Sequence, residues 1–197
     1  MADLKELAEK AWNGELDTVF EHHPVHTFYA GSCELAPDLL GMKGLAGSFV
    51  IDSGDGLVML DVDYFKSYND TYGHQSGDRI LQTVANSLKN FLRKSDEVFR
   101  YGGEEIVAIL AGTNIMETMW TAEKIRKGIE ELGIEHKGNP LAGVVTVSCG
   151  VSAYCAAEQG TKEWEDVLEE ADKALYKAKA KGRNRVYSLA FPSLEGV

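Results

Sequence analysis

This 197-residue chain has no excess of basic charge. Its 20 lysines and arginines face 31 acidic residues, for a net charge of −11. Holding duplex nucleic acid or an anionic membrane by bulk electrostatics needs a basic surface, so no nucleic-acid polymer and no membrane partner is expected. An anionic ligand has to be met by a few placed cations or by a metal. Cysteine is scarce as well. Cys33, Cys149 and Cys155 are odd in number and lack C-x-x-C spacing, which excludes a disulfide framework and a cysteine zinc site and favours a reducing cytoplasm. No uninterrupted apolar run approaches the roughly 20 residues that span a bilayer. The opening "MADLKELAEKAW" reads as a charged amphipathic helix rather than a signal peptide, so a soluble, intracellular chain is expected.

What is present, 44% hydrophobic content, suffices for one main core. A change of character falls near residue 56. Residues 1–56 form an atypical segment: a short helix with Leu4, Leu7, Ala8 and Ala11 on one face, a Gly- and Pro-bearing stretch, then two apolar runs around Ser53-Gly54-Asp55-Gly56 that signal a hairpin. From residue 57 to 190 the punctuation is regular, and 191–197 reads as a tail. "LVMLDVD" is a buried strand. "SGDRILQTVANSLKNFLR" is an amphipathic helix with Ile80, Leu81, Val84, Leu88, Phe91 and Leu92 inward. "DEVFRY" and "EEIVAIL" form a hairpin, Asn114 caps the next helix, "GVVTVSCGVSAY" is a strand, "KEWEDVLEEADKALYKAKAKG" a helix closed by Gly182, and "NRVYSL" a last strand. This order predicts an α+β fold, a mainly antiparallel or mixed sheet with helices on one side, related to the ferredoxin-like arrangement.

Four carboxylates then stand out. Asp61 and Asp63 close the first strand, and a spacing of two sends both to one face. Glu104 and Glu105 open another strand. If the two strands are neighbours, Asp61 and a glutamate converge, and carboxylates so close repel unless a hard dication lies between them. Gly102 and Gly103 leave the turn bare for a ligand to approach. The plain alternative is a solvated hairpin turn that happens to be acidic.

Six blocks in order carry a resemblance: D-x-D-x-F-K at 61–66, N-D at 69–70, G-H-x-x-G-D at 73–78, G-G-E-E at 102–105, V-T-V-S-x-G-V at 145–151, and A-D-x-A-L-Y-x-A-K-x-x-G-R-N at 171–184. Together, over about residues 57 to 188, they resemble the GGDEF domain of diguanylate cyclases. The resemblance implies a five-stranded palm sheet like that of adenylyl cyclases and polymerases. It also implies the joining of two GTP into cyclic di-GMP with loss of two pyrophosphates, by two-metal phosphoryl transfer with Mg²⁺ or Mn²⁺ at a homodimer interface.

By the same resemblance, Asp61, Glu104 and the Val62 carbonyl are metal ligands. Glu105 is either a ligand or a helper in deprotonating the attacking hydroxyl. Asp63 is more readily a structural carboxylate that caps a neighbouring backbone. Asn69 and Asp78 read guanine; Phe65, Lys66, Gly102 and Gly103 line the GTP site; Lys179 and Arg183, read as i, i+4 on the last helix, hold the outer phosphates. Asp78 could instead cap a helix starting near Arg79, and the two cations could complement a helix end. Arg93 and Asp96, an R-x-x-D before the glycines, match the family's inhibitory site for cyclic di-GMP, with Lys124 as a second cation; the alternative is a salt bridge at a helix end.

Departures limit the likeness. The family's D-x-L-T-G-L-x-N-R-R block and long helix are missing, with Asp38-Leu39-Leu40-Gly41-Met42 only a faint echo, and Ile106 stands where phenylalanine is usual. "FVIDSGDGLVMLD" resembles the first hairpin of metallo-β-lactamase-like hydrolases, but their H-x-H-x-D-H motif is absent. A second reading therefore stands beside the enzyme: a catalytically silent module that senses cyclic di-GMP or GTP.

Overall fold

The computed structural model describes residues 54–154 and 164–191, together with the backbone of 26–29 and 48–51. Its elements are β1 (His26–Tyr29), β2 (Ser48–Ile51), β3 (Gly56–Val62), α1 (Phe65–Tyr72), α2 (His74–Leu88), β4 (Glu97–Arg100), β5 (Glu105–Leu110), α3 (Ile115–Glu131), β6 (Val147–Ala153), α4 (Trp164–Ala180) and β7 (Val186–Ser188). The helix expected at residues 3–12 lies outside the described residues.

Five strands form the main sheet in the order β4-β5-β3-β6-β7. All neighbours are antiparallel except β6 and β7. Every residue of β3 is buried, and the strand's alternation divides the core. Val58, Leu60 and Val62 face α2 and α3, while Leu57 and Met59 face Val167, Ala171 and Leu175 of α4. Helices thus cover both faces of the sheet, not the one side the element order suggested. The reason is that α4 carries its own apolar stripe, which needs the second face. Fully buried side chains such as Met119, Ile125 and Ile129 on α3 contribute about 1.5–3 kcal/mol each.

Three further expectations are corrected. The hairpin read around residues 53–56 does not form, because both edges of β3 are occupied by β5 and β6; β2 pairs antiparallel with β1 instead, in a separate two-stranded sheet. With that pairing gone, the hydrolase-like hairpin has no structural counterpart. The long helix read from Ser76 begins at His74, and a separate helix, α1, precedes it. Asn114 caps α3 as expected, in a capping box with Glu117. No helix among the described residues is long and apolar enough to cross a membrane.

His136, in the connection before β6, is fully buried. Its ring meets Tyr68 edge-on at 5.0 Å. Both ring nitrogens lack a partner in good geometry, although they face the backbone of Asp63 and Tyr64. Burial holds its pKa below the ordinary 6.5, against the opposing pull of those carbonyls and of the Asp63 charge. The unfolded chain therefore binds this proton more readily than the folded one. Stability is full above about pH 6.5 and falls as pH drops from there toward the lowered folded value. We expect His136→Phe to flatten the acid limb of a urea-midpoint profile between about pH 7 and 5. An unchanged limb would show that other groups cause it.

Candidate active site

The C-terminal end of β3 gathers the site. Asp61 lies across from Glu105 on β5 and from Ser148 on β6. It is 5% exposed, and its carboxylate meets the Lys179 ammonium of α4 at 2.8 Å. Its pKa is raised to about 6: burial disfavours the charged form, Lys179 opposes that through its hydrogen bond and charge, and Glu104 and Glu105 add repulsion. The two strands are neighbours, as the expected convergence required, with Glu105 directly opposite Asp61. Among the described residues, no group of three or more acidic, histidine or cysteine side chains is gathered tightly enough to hold a metal by itself.

Asp63 does not share the role of Asp61. The strand ends at Val62, so its alternation stops. The fully buried Asp63 carboxylate accepts from Thr146 Oγ1 at 2.8 Å, Ser148 Oγ at 2.6 Å and the Asn184 backbone N–H at 3.0 Å. It is the backbone-capping carboxylate that the sequence favoured.

Tyr101 to Glu104 form the turn between β4 and β5. Arg100 clasps it from within, its Nε donating to the Gly102 and Gly103 carbonyls and its Nη2 to Gly103 at 2.6 Å. A Cβ on Gly102 would press on the Glu105 carboxylate, 2.7 Å from Oε2, whereas Gly103 faces open space. Only Gly103 is bare toward a ligand; Gly102 makes room for Glu105.

The α1–α2 pair forms the adjoining wall. Phe65 is buried and Lys66 exposed. Asn69 Oδ1 is buried without a partner, packed where a Cβ on residue 77 would collide, which is why Gly77 has no side chain. Asp78 lies exposed inside α2, so it is not the N-cap the sequence allowed.

Lys179 and Arg183 do not share a helix, because α4 stops at Ala180. Arg183 sits in the following turn at φ 62°, and its guanidinium carbon lies 4.5 Å above the Tyr64 ring. Both cations still flank the end of β3. Arg93 and Lys124 are exposed. Asp96 makes backbone contacts rather than the salt bridge considered as the alternative: it accepts from the Arg93 N–H at 2.7 Å and the Ala111 N–H at 3.2 Å. The Phe91 ring lies against Gly128, one turn beyond Lys124, so the R-x-x-D turn and Lys124 occupy one side of the domain.

The sequence did not single out Arg126, and Thr146, Ser148 and Asn184 stood within the matched blocks without a role of their own. One usable signal was the E-x-x-R-x-x-x-E spacing of Glu123, Arg126 and Glu130.

The family model described as diguanylate cyclase, GGDEF domain, matches residues 52–185. The chain belongs to the GGDEF family. Diguanylate cyclase A of Treponema denticola is 45% identical over 130 residues, covering 66% of this chain and 34% of that protein. Diguanylate cyclase DgcP of Pseudomonas aeruginosa is 40% identical over 136 residues, covering 68% of this chain and 19% of that protein. This GGDEF chain therefore spans about a third or less of the length of those relatives. Among solved structures, the GGDEF domain of DgcB from Caulobacter crescentus in complex with c-di-GMP aligns with TM-score 0.59 and 34% identity over 67% of this chain and 75% of that one. The active GGEEF domain of a diguanylate cyclase from Vibrio cholerae aligns at 0.58 and 31%, over 67% of this chain and 80% of that one.

Proposed function

We propose that this GGDEF domain is a diguanylate cyclase. Two GTP molecules react: each 3′-hydroxyl oxygen bonds to the α-phosphorus of the other nucleotide as the bond to pyrophosphate breaks, giving cyclic di-GMP and two pyrophosphates. The observation that carries the reading is the end of β3, where the buried Asp61 meets Glu105 across the sheet, Lys179 at 2.8 Å and the glutamates of the glycine turn. The names of the relatives support it.

Asp61, the Val62 carbonyl and Glu104 would hold Mg²⁺ or Mn²⁺. This all-oxygen donor set suits a hard dication, and the crowding of Asp61 by Glu104 and Glu105 is what a cation relieves. Two carboxylates and a carbonyl would leave positions for phosphate oxygens. When bound, the dication stabilises charge on the attacking and leaving oxygens.

The chain's own groups bind and orient. Lys179 and Arg183 hold the outer phosphates, with Phe65, Lys66 and Gly103 along the nucleotide's path. Asp78 accepts from the guanine ring N–H and exocyclic amine, and Asn69 supplies an amide. Glu105, opposite Asp61 across the sheet, would take the hydroxyl proton or join the metal ligands. One domain holds one GTP, so two domains meet across a two-fold axis that sets their nucleotides head to tail.

Incubating the protein with GTP and magnesium and separating the nucleotides tests this. Cyclic di-GMP with two equivalents of pyrophosphate is expected. GTP binding without product would favour the silent sensor instead.

Arg93 and Asp96, with Lys124, form the proposed inhibitory site for the product. Asp96 shapes the turn and leaves the Arg93 guanidinium facing solvent. We expect Arg93→Ala to raise the cyclic di-GMP concentration giving half-inhibition about tenfold, the loss of one charge-assisted contact. Identical inhibition curves for the two proteins would remove Arg93 from the site.

A further inference from the structure

Beyond Asp61 runs a polar chain that the nucleotide-site residues do not account for. Arg126 on α3, 9% exposed, forks onto Glu123 with bonds of 2.7 and 2.9 Å. Its Nη1 reaches Glu130 at 2.8 Å and Asn184 Oδ1 at 2.7 Å. The Asn184 amide returns a bond to Glu130 at 2.8 Å, and its backbone N–H donates to Asp63 at 3.0 Å. Burial works against the Glu130 charge, but the bonds from Arg126 and Asn184 outweigh it and hold its pKa below the usual carboxylate range.

This chain ends on a turn that is unfavourable in isolation. Gly182, Arg183 and Asn184 take φ of 114°, 62° and 44° in succession. Two adjacent non-glycine residues in the left-handed region persist only where their surroundings hold them. Here both amide groups of Asn184 and its N–H are tied to α3 and to Asp63, while the Arg183 N–H donates to Ala178 at 3.0 Å. The result is an Arg183 guanidinium fixed over Tyr64, the residue that leads from β3 into α1.

We propose that Asn184 and Arg126 are positioning residues for Arg183: they pin the left-handed turn that aims its guanidinium at the phosphates of the nucleotide. This rests on the reading of the site as one for GTP. Neither residue touches the ligand. Each acts by fixing where Arg183 stands, and a misplacement of about 1 Å is enough to weaken such a contact strongly.

The informative variant is Asn184→Gly. Glycine keeps the positive φ without strain and removes only the amide bridge. The probe is 3′-deoxy-GTP with magnesium, which lacks the attacking hydroxyl, so binding is read without turnover. We expect Asn184→Gly to raise the dissociation constant about tenfold, and Arg126→Lys, which lacks the planar fork, to do the same. In an Arg183→Ala background, Asn184→Gly should change affinity less than about twofold, because the group it positions is gone. Melting curves accompany each protein, and Arg126→Lys serves if Asn184→Gly fails to fold. Unchanged affinity in the single variants overturns the proposal, as does an equal loss in both backgrounds, the mark of general loosening. Wild-type protein that binds 3′-deoxy-GTP but makes no cyclic di-GMP from GTP would sink the cyclase reading and leave this one standing. Wild-type protein that does not bind the probe sinks both.

Discussion

Replacing Glu104 with glutamine is expected to lower cyclic di-GMP formation by about a hundredfold or more, on the scale of losing one preorganised charge at a phosphoryl-transfer centre. The amide keeps the shape and the hydrogen-bonding capacity of the side chain but not its charge. Glu104 sits in the turn before β5, half-buried and outside the apolar clusters of the core. Its removal should shift the urea midpoint by no more than about 0.5 kcal/mol in stability. The pairing of lost turnover with retained stability is the test. A variant that keeps more than about a tenth of the wild-type rate, against the hundredfold expected, would dismiss Glu104 as a metal ligand.

Asp63→Ala should do the reverse, acting first on the fold. The change leaves two buried hydroxyls and the Asn184 N–H without their acceptor. Hydrogen bonds to a charged group contribute about 1.5–3 kcal/mol each, and an orphaned donor adds its own desolvation cost. A loss on the order of 3 kcal/mol or more is expected, read as a lower urea midpoint at unchanged slope. Asp63→Asn should lose less, because the Thr146 and Ser148 hydroxyls can turn to accept from the new amide. Asp63→Ala within about 1 kcal/mol of wild type, the scale of one ordinary hydrogen bond, would mean that the three contacts do not anchor the end of β3.

These two carboxylates show what could be read in the sequence. The strands and long helices from residue 57 onward were legible, since their apolar periods and caps are local signals. The short helix Phe65–Tyr72 was not, because only Phe65 and Tyr68 in it are buried and Gly73 interrupts the pattern. The pairing partner of Ser48–Ile51 was misread for another reason. Local turn chemistry favoured β3, but β3 has two longer partners, and a strand has only two edges. At the site, Asp61 and Glu105 were identifiable from spacing and from the likeness to a known family. The linkage of Arg126, Asn184 and Asp63 was not, although Asp63 and Asn184 stand in the matched blocks: bonds that join residues 58 and 121 positions apart leave no periodic trace.

The order β4-β5-β3-β6-β7 also bears on timing. Asp61 rides on a central strand whose amides can exchange with solvent only when the domain opens widely. Glu104 rides beside β4, a four-residue edge strand that is partly exposed throughout. One half of the site thus lies on a central strand, and the other in a turn that leaves the sheet's edge strand. If the glycine turn is in its working shape for a fraction f of the time, the proposed reaction, which would need two such domains at once, is ready for only f² of it. Any contact between domains that steadies both turns raises the rate as the square of what it does to one.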